Sequence, residues 1–382
     1  QGKSKTETRT RQVYEDTDHW FDFDREAGAS AKRQVLALLD ERARCTLPLP
    51  DVRRLRVRLD RVDPAQRMFL KRMVRDTILE DEEASDWLLE RLVSPHTVGL
   101  GPIIDIQAYL REQDADELAS ILLGGLAVGD LPRDRLHPML LLVRDSADSR
   151  DFLLPPLPNT LYPRDSASWI YDRVTHNPLS TSARAPESVI MQAIYRFHPR
   201  FGEQGRSVWG DPSAGHGPAT LEGGDVLVLG HGAIAVGMSE RTSRQAIAQL
   251  AHSLFYEDTV DEIIVAQLPR QRSVMHLDTV FSLADADVAV AYTPVVDHIR
   301  TVTITPAPGL DFLSVTVEEE PFVDVVARAM GIERLTVVPV TGDTASAERQ
   351  QGDAAANVVA RAPGKGMGYD RNGRTNDALR DV

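Results

Sequence analysis

Short apolar runs recur along the chain in a fixed order. A polar or acidic group precedes a short hydrophobic hairpin, and a helix pattern follows. The phrase begins at Arg164-Asp165-Ser166, at Glu222-Gly223-Gly224-Asp225, at His276-Leu277-Asp278-Thr279 and, more faintly, at Asn357. Strand-like runs cover 225–229, 233–237, 263–268, 288–292, 301–305 and 335–340. Gly230-His231-Gly232 predicts a tight link between the first two. Thr242 or Ser243 is placed to cap a helix whose apolar face is Ile247, Leu250, Ala251, Leu254 and Phe255. Pro321 and Gly331 bracket another helix in the positions those residues favour. The predicted unit is polar residue, hairpin, helix, strand. It repeats at irregular intervals of roughly 50 to 80 residues, longer than most solenoid repeats. Such a unit predicts a circular array whose leading polar groups meet at its centre.

The pattern before Met139 is different. Residues 1–30 are polar, 32–44 predict a helix built on Val35, Leu36, Leu38 and Leu39, and 45–50 predict a short strand. From Pro64 to Leu141 the signals are mostly helical. Amphipathic runs at 86–92, 103–110 and 116–123 are broken by Pro95, by Gly99-Leu100-Gly101-Pro102 and by Gly124-Gly125. The expected organisation is an atypical or incomplete first module over 1–74, a helical insertion over 75–137, and the remaining modules over 138–382, the last of them incomplete.

Composition acts mainly by exclusion. The 382 residues are 42% hydrophobic and 26% charged, ordinary for a globular protein. A net charge of −14 argues against a nucleic-acid partner, which calls for a basic surface. No apolar run reaches the ~18 to 20 residues that span a membrane, so no membrane partner is expected. The one cysteine, Cys45, rules out intramolecular disulfides and a cysteine-rich zinc site, and fits a reducing, cytoplasmic location. Its surroundings match no nucleophile motif, and a small buried apolar residue is the plainer reading.

Three of the leading polar groups carry candidate chemistry. Arg164-Asp165 alone is more often a solvated salt bridge. Glu222-Gly223-Gly224-Asp225 is more specific, because two acids flanking two glycines at the mouth of a strand let backbone approach a ligand closely; a tight turn with solvated acids competes with that reading. His276-Leu277-Asp278 is expected to be extended, with both polar side chains on one face. A histidine and a carboxylate so placed can move protons and hold a substrate, although a lone pair of this kind is more often structural. No other histidine or cysteine stands at metal-like spacing, so neither a metal nor another cofactor is expected. What weakens the bland readings jointly is that all three occupy the same point of the repeat. Convergent carboxylates and a histidine suit a cationic substrate.

The stretch from Leu157 to Ser166, with Asn159 and Arg164-Asp165, resembles the LPN-x-x-F-T-R-D motif of arginine deiminases. Glu222 to Asp225 is similar to their EGGD strand, Gly237 to Thr242 to their G-x-S-E-R-T turn, and Met275 to Thr279 to their MHLDT segment. Ala356-Asn357-Val358 and Gly368 to Asn372 resemble the later NN and GYERN segments. The likeness runs from about Trp87 to Arg380. It implies the pentein fold, a five-bladed α/β propeller with an inserted helical subdomain, and a reaction in which L-arginine and water give L-citrulline and ammonia through a cysteine thiolate. Carried over, it implies that Asp165 and Asp278 grip the guanidinium and that His276 and Glu222 handle protons. Arg184 and Arg241 would bind the α-carboxylate, Asn159 the amino-acid end, and Tyr162 stands where the family packs a phenylalanine. Asp225 falls within the same binding set. The partner implied is a small guanidine, and a homo-oligomer is compatible.

There are departures. The family's opening HRPG strand has no counterpart, and Val382 is reached before the glycine-rich segment that carries the family's nucleophile. The stretch from Glu348 to Asn357 also loses a tryptophan, a glycine and an acid of the family's loop. The cysteine route is therefore not expected from these residues alone. The alternatives are a catalytically inactive homologue that binds arginine or another guanidine, a related amidinotransferase or dimethylarginine hydrolase, and an interaction scaffold. The helical insertion and the two longest motifs favour a deiminase over the related enzymes.

Overall fold

The computed structural model describes residues 64–94, 103–131, 138–160, 162–201, 206–212, 214–307, 313–342, 344–362 and 364–382. The helix expected at 32–44, the strand at 45–50 and Cys45 lie outside them. The chain divides into two compact units, one of Gln1–Leu161 with Ala193–Gly202, the other of Tyr162–Gln192 with Glu203–Val382.

The described part of the first unit is mainly helical. Helices run over Pro64–Glu80, Glu82–Leu92, Ile103–Arg111, Ala115–Gly124 and Pro138–Ser146. Asp81 and Asp114 start two of them by accepting from the amides of Glu83 and Glu117, which would otherwise lack partners. Gly125, at φ 81, ends the fourth; a side chain there would meet the Leu154 carbonyl at 2.6 Å. Leu88, Leu89, Ile106, Leu110, Leu118 and Leu122 are all buried. Ile106 with Leu110 and Leu118 with Leu122 stand four residues apart along their helices, as an apolar stripe must be. Strand β1 (Leu126–Ala127) pairs antiparallel with β2 (Phe152–Leu154).

The second unit is built from the repeated module. Its first copy is an antiparallel hairpin, β3 (Ala167–Ile170) with β4 (Arg173–His176). The helix Ala185–Phe197 starts next, and β5 (Arg206–Trp209) returns parallel to β4. The second copy repeats this order. Its hairpin is β6 (Val226–Gly230) with β7 (Ala233–Met238), its helix Arg244–Tyr256, and its parallel strand β8 (Glu262–Gln267). The β6–β7 link is Gly230-His231-Gly232, with φ of 88°, 51° and 74°, the left-handed values a tight hairpin needs. The third hairpin is β9 (Phe281–Leu283) with β10 (Val288–Ala291). Here an excursion intervenes: β11 (Arg300–Pro306) and β12 (Leu313–Val317) join the second sheet, giving the order β12-β11-β8-β7-β6. The helix Phe322–Ala329 and β13 (Thr336–Pro339), parallel to β10, complete the copy. A last hairpin, β14 (Val359–Ala362) with β15 (Lys365–Met367), precedes the helix Gly373–Arg380.

The architecture is thus mixed α/β, with separate sheets of two, three and five strands. These do not close into one barrel among the described residues. Side chains from the hairpins and helices form the cores: Ile234, Val236, Leu250, Leu254 and Ile263 in one cluster, Phe281, Phe322, Val326 and Ala289 in another. The polar residue that opens each module stands just before its hairpin, at the strand end where the core stops.

Candidate functional site

Three module openings meet in the second unit. Pro163 presets the first turn of the short helix Pro163–Ser166, which delivers Asp165 directly before β3. Glu222 precedes a 3-10 turn, Gly223–Asp225, before β6. His276 precedes another, Leu277–Thr279, before β9. The extended geometry expected at 276–278 is therefore not formed. The turn nevertheless returns both side chains to one side, with His276 Nδ1 4.0 Å from Asp278 Oδ1. A tight turn can bring residues two apart together as well as a strand can.

The two glycines make this approach possible, against the chain itself. A methyl on Gly223 would lie 1.9 Å from the Arg164 carbonyl oxygen. One on Gly224 would lie 2.6 Å from His276 Nδ1 and 3.0 Å from Asp278 Oδ1. The expectation of close backbone approach to a ligand thus has a nearer cause in the three openings touching one another.

Glu222 is the centre of the polar network. Its Oε2 lies 2.8 Å from His276 Nε2, and its Oε1 accepts from the Ser180 hydroxyl at 2.7 Å and amide at 3.3 Å. Arg241 Nη1 stands 3.8 Å from Oε1, and Arg184 Nη1 3.9 Å from Oε2. Burial favours the neutral acid, but the bonds from His276 and Ser180 and the charges of His276 and Arg241 outweigh it and lower its pKa. Burial likewise opposes a charge on His276. The Glu222 hydrogen bond and the Asp225, Asp278 and Asp165 carboxylates overcome it and raise the imidazole to about 9. His276 is therefore charged at neutral pH, a proton donor rather than a base.

Asp278 is 4% exposed, and burial pushes it up to about 6 against the charges of Arg164 and His276. Arg164 Nη1 reaches its Oδ2 at 3.4 Å. Asn357, the faintest module opening, approaches the carboxylate, yet the buried Oδ1 has no donor in hydrogen-bond geometry among the described residues. Asp165 is paired differently: Arg184 Nη1 donates to its Oδ2 at 2.9 Å. The Arg164-Asp165 dipeptide is thus no local salt bridge. Each member pairs across the site, with Asp278 and Arg184 respectively.

Arg184 was expected at a ligand carboxylate. The structure buries it, with Nε and Nη2 both donating to Glu187 Oε2, at 3.0 and 2.9 Å. Arg241 is more open, with Nη1 bonded to the hydroxyls of Ser180 and Thr181 at 3.2 and 3.3 Å. Asp225 is fully buried, and both its oxygens accept from the protein's own donors. Tyr162 is 51% exposed beside the site. Asn159 belongs to the first compact unit. One donor atom from each of Asp165, Glu222 and His276 lies within 4.8 Å of the others, a spacing that could hold a cation. The two arginines near Glu222 already bring positive charge there.

Sequence reasoning passed over Ser180, Glu187 and Tyr369. Glu187 follows Arg184 by three residues at a helix start, a spacing that signals an ion pair. Tyr369 is 47% exposed, and partial burial, with Tyr162 and Asp278 nearby, raises the pKa of its hydroxyl. It sits in the Gly368–Asn372 segment, and no role was drawn from that segment. Ser180 has no signal in its neighbours.

The profile of the arginine deiminase family matches residues 68–382. Among solved structures, the chain is similar to DDAH from Pseudomonas aeruginosa in complex with citrulline, at 16% identity and TM-score 0.37, covering 60% of this chain and 69% of that one. It is similar to SxtG, an amidinotransferase of Microseira wollei in the saxitoxin biosynthetic pathway, at 12% identity and TM-score 0.41, covering 60% and 64%. A third is ArgZ, an arginine dihydrolase of the ornithine–ammonia cycle in cyanobacteria, at 13% identity and TM-score 0.37, covering 58% of this chain and 28% of that one.

Proposed function

Because this chain belongs to the arginine deiminase family, we propose that its carboxylate–histidine cluster binds the guanidinium of L-arginine and handles the protons of its conversion, with water, to L-citrulline and ammonia. The observation that carries this reading is Asp278 Oδ1, a buried carboxylate oxygen with no donor in hydrogen-bond geometry among the described residues, 4.0 Å from the charged His276. A buried acceptor of this kind costs free energy until a donor meets it, and a guanidinium offers planar N–H groups. In this reading the modules are blades of the family's five-bladed α/β propeller, and their openings line its centre.

The incoming cation takes the place of Arg164 at Asp278, because that contact is long, at 3.4 Å, and Arg164 is 42% exposed. Arg184 reaches a ligand carboxylate only by leaving two buried ion pairs. It therefore orients Asp165, and Arg241 carries carboxylate recognition, with Tyr162 flanking. In the family's reaction a thiolate bonds to the guanidinium carbon, ammonia departs, and water then displaces the thiolate to leave citrulline. His276 supplies the proton that departing ammonia needs, and Glu222 keeps that proton in place beforehand. None of the described residues is a cysteine, so these side chains contribute binding and proton transfer, not attack.

Calorimetry with L-arginine and L-citrulline tests this directly. Each of Asp165→Ala and Asp278→Ala removes a charge-assisted partner worth roughly 1.5 to 3 kcal/mol, so each should weaken arginine binding about tenfold or more. Wild-type protein that holds citrulline as well as arginine would end the reading.

A further inference from the structure

Asp225 stands behind the cluster rather than in it. Ser239 Oγ and Thr242 Oγ1 each donate to its Oδ2 at 2.6 Å, and the Leu277 amide donates to Oδ1 at 2.8 Å. These donors come from two separate turns. Ser239 and Thr242 flank Arg241, and Leu277 lies between His276 and Asp278. Both hydroxyls are also acceptors. Ser239 Oγ takes the amides of Arg241 and Thr242, at 3.0 and 3.1 Å, and Thr242 Oγ1 takes the amide of Glu222 at 3.2 Å. Each hydroxyl has one hydrogen, and geometry sends it to Asp225.

We infer that Asp225 is a positioning residue that ties the turn carrying Arg241 to the turn carrying His276 and Asp278, without touching the ligand. Its carboxylate is irreplaceable for a countable reason. Every group facing it is a donor, so only a group that accepts on both atoms satisfies them. An asparagine must turn its NH2 either toward Leu277 N–H or toward the hydroxyls. Ser239 Oγ has both acceptor sites filled, so either orientation sets donor against donor. Space is tailored as well: a methyl on Gly237 would fall 2.2 Å from Asp225 Oδ1. Burial of this acid is costly, which is the usual mark of a buried carboxylate kept for the network it completes.

The ligand side of this inference rests on the proposed arginine site; the tie itself does not. Two measurements separate them. Amide hydrogen exchange reads the tie: in Asp225→Asn the Leu277 amide should exchange at least tenfold faster, while amides of β8 stay as in wild type. Calorimetry with L-arginine and L-argininamide, which lacks the carboxylate, reads its consequence: Ser239→Ala should lose severalfold of the preference for arginine, because the Arg241 turn is loosened. Unchanged Leu277 exchange in Asp225→Asn overturns the tie. Full preference in Ser239→Ala overturns its role in positioning Arg241. Wild-type protein that does not distinguish the two ligands counts against the arginine reading, and Leu277 exchange still decides the tie.

Discussion

His276 and Asp278 share a turn yet hold their protons over different ranges. The imidazole stays charged to about 9, and the carboxyl ionises near 6. A guanidinium therefore meets an ionised Asp278 only above about pH 6. Below that, each cation bound must expel a proton, at up to tenfold in affinity per pH unit. Arginine affinity is expected to be about tenfold weaker at pH 5 than at pH 7.5, and Asp278→Asn should flatten the profile; a flat wild-type titration by calorimetry would remove Asp278 from the binding role. The raised pKa of His276 also has a stability consequence. Its value in the fold, about 9, exceeds the ordinary 6.5, so its contribution is complete below about 6.5 and is lost as pH rises through 9. Thermal unfolding should therefore occur at a lower temperature at pH 10 than at pH 7, with Glu222→Gln reducing the difference. At this scale residue types were legible and pairings were not. The spacing of Arg184 and Glu187 hints at their pair, but nothing in Arg184 itself reveals that Asp165 also claims its guanidinium, because that depends on where the loop from Pro178 folds back.

The hairpin–helix–strand module makes the site possible, and its special residues divide by task. Ser243 caps the helix Arg244–Tyr256, accepting from Ala246 N at 3.2 Å, and it also accepts from Thr220 N at 3.0 Å. Ser243→Ala should cost about 1 kcal/mol of stability and leave arginine binding within about twofold. Gly224→Ala should show the reverse pattern. Its methyl would press on His276 Nδ1 and move the ring off Glu222, so binding should fall about tenfold or more while the fold persists. Melting and calorimetry on the two variants separate the roles, and a shared loss of both properties would refute the division. Elements of this kind were well marked in sequence. The apolar face from Ile247 to Leu254, the Gly230–Gly232 link and the Pro321 and Gly331 brackets predicted the observed elements to within a residue or two. Short turns were less legible. The 276–278 segment alternates polar and apolar residues as a strand would, yet it turns, with Thr279 Oγ1 donating to the His276 carbonyl at 2.6 Å and the Leu277 amide to Asp225 Oδ1 at 2.8 Å.

Whether the modules act as one catalyst is a question for the molecule as a whole. Order along the chain showed that polar groups recur at one point of the module, and the second unit brings Asp165, Glu222, His276 and Asp278 together there. The circular array that the repeat predicts goes further than the strands do: it depends on contacts between segments far apart in sequence, and among the described residues the strands form separate sheets. Function divides similarly. Carboxylates and an imidazole can orient a guanidinium and move protons, but its resonance-stabilised carbon needs a strong nucleophile, and direct attack by water would forgo the covalent route that splits one hard step into two easier ones. The one thiol in residues 1–382 is Cys45, which follows Arg42-Ala43-Arg44 rather than a glycine-rich loop. A polypeptide of these residues is therefore expected to bind arginine without forming citrulline. The assay is citrulline release from arginine, with Cys45→Ser alongside. Turnover abolished by Cys45→Ser would identify Cys45 as the nucleophile after all. Turnover that survives the change would mean that water attacks directly, and His276 would then have to act as a base despite its charge at neutral pH.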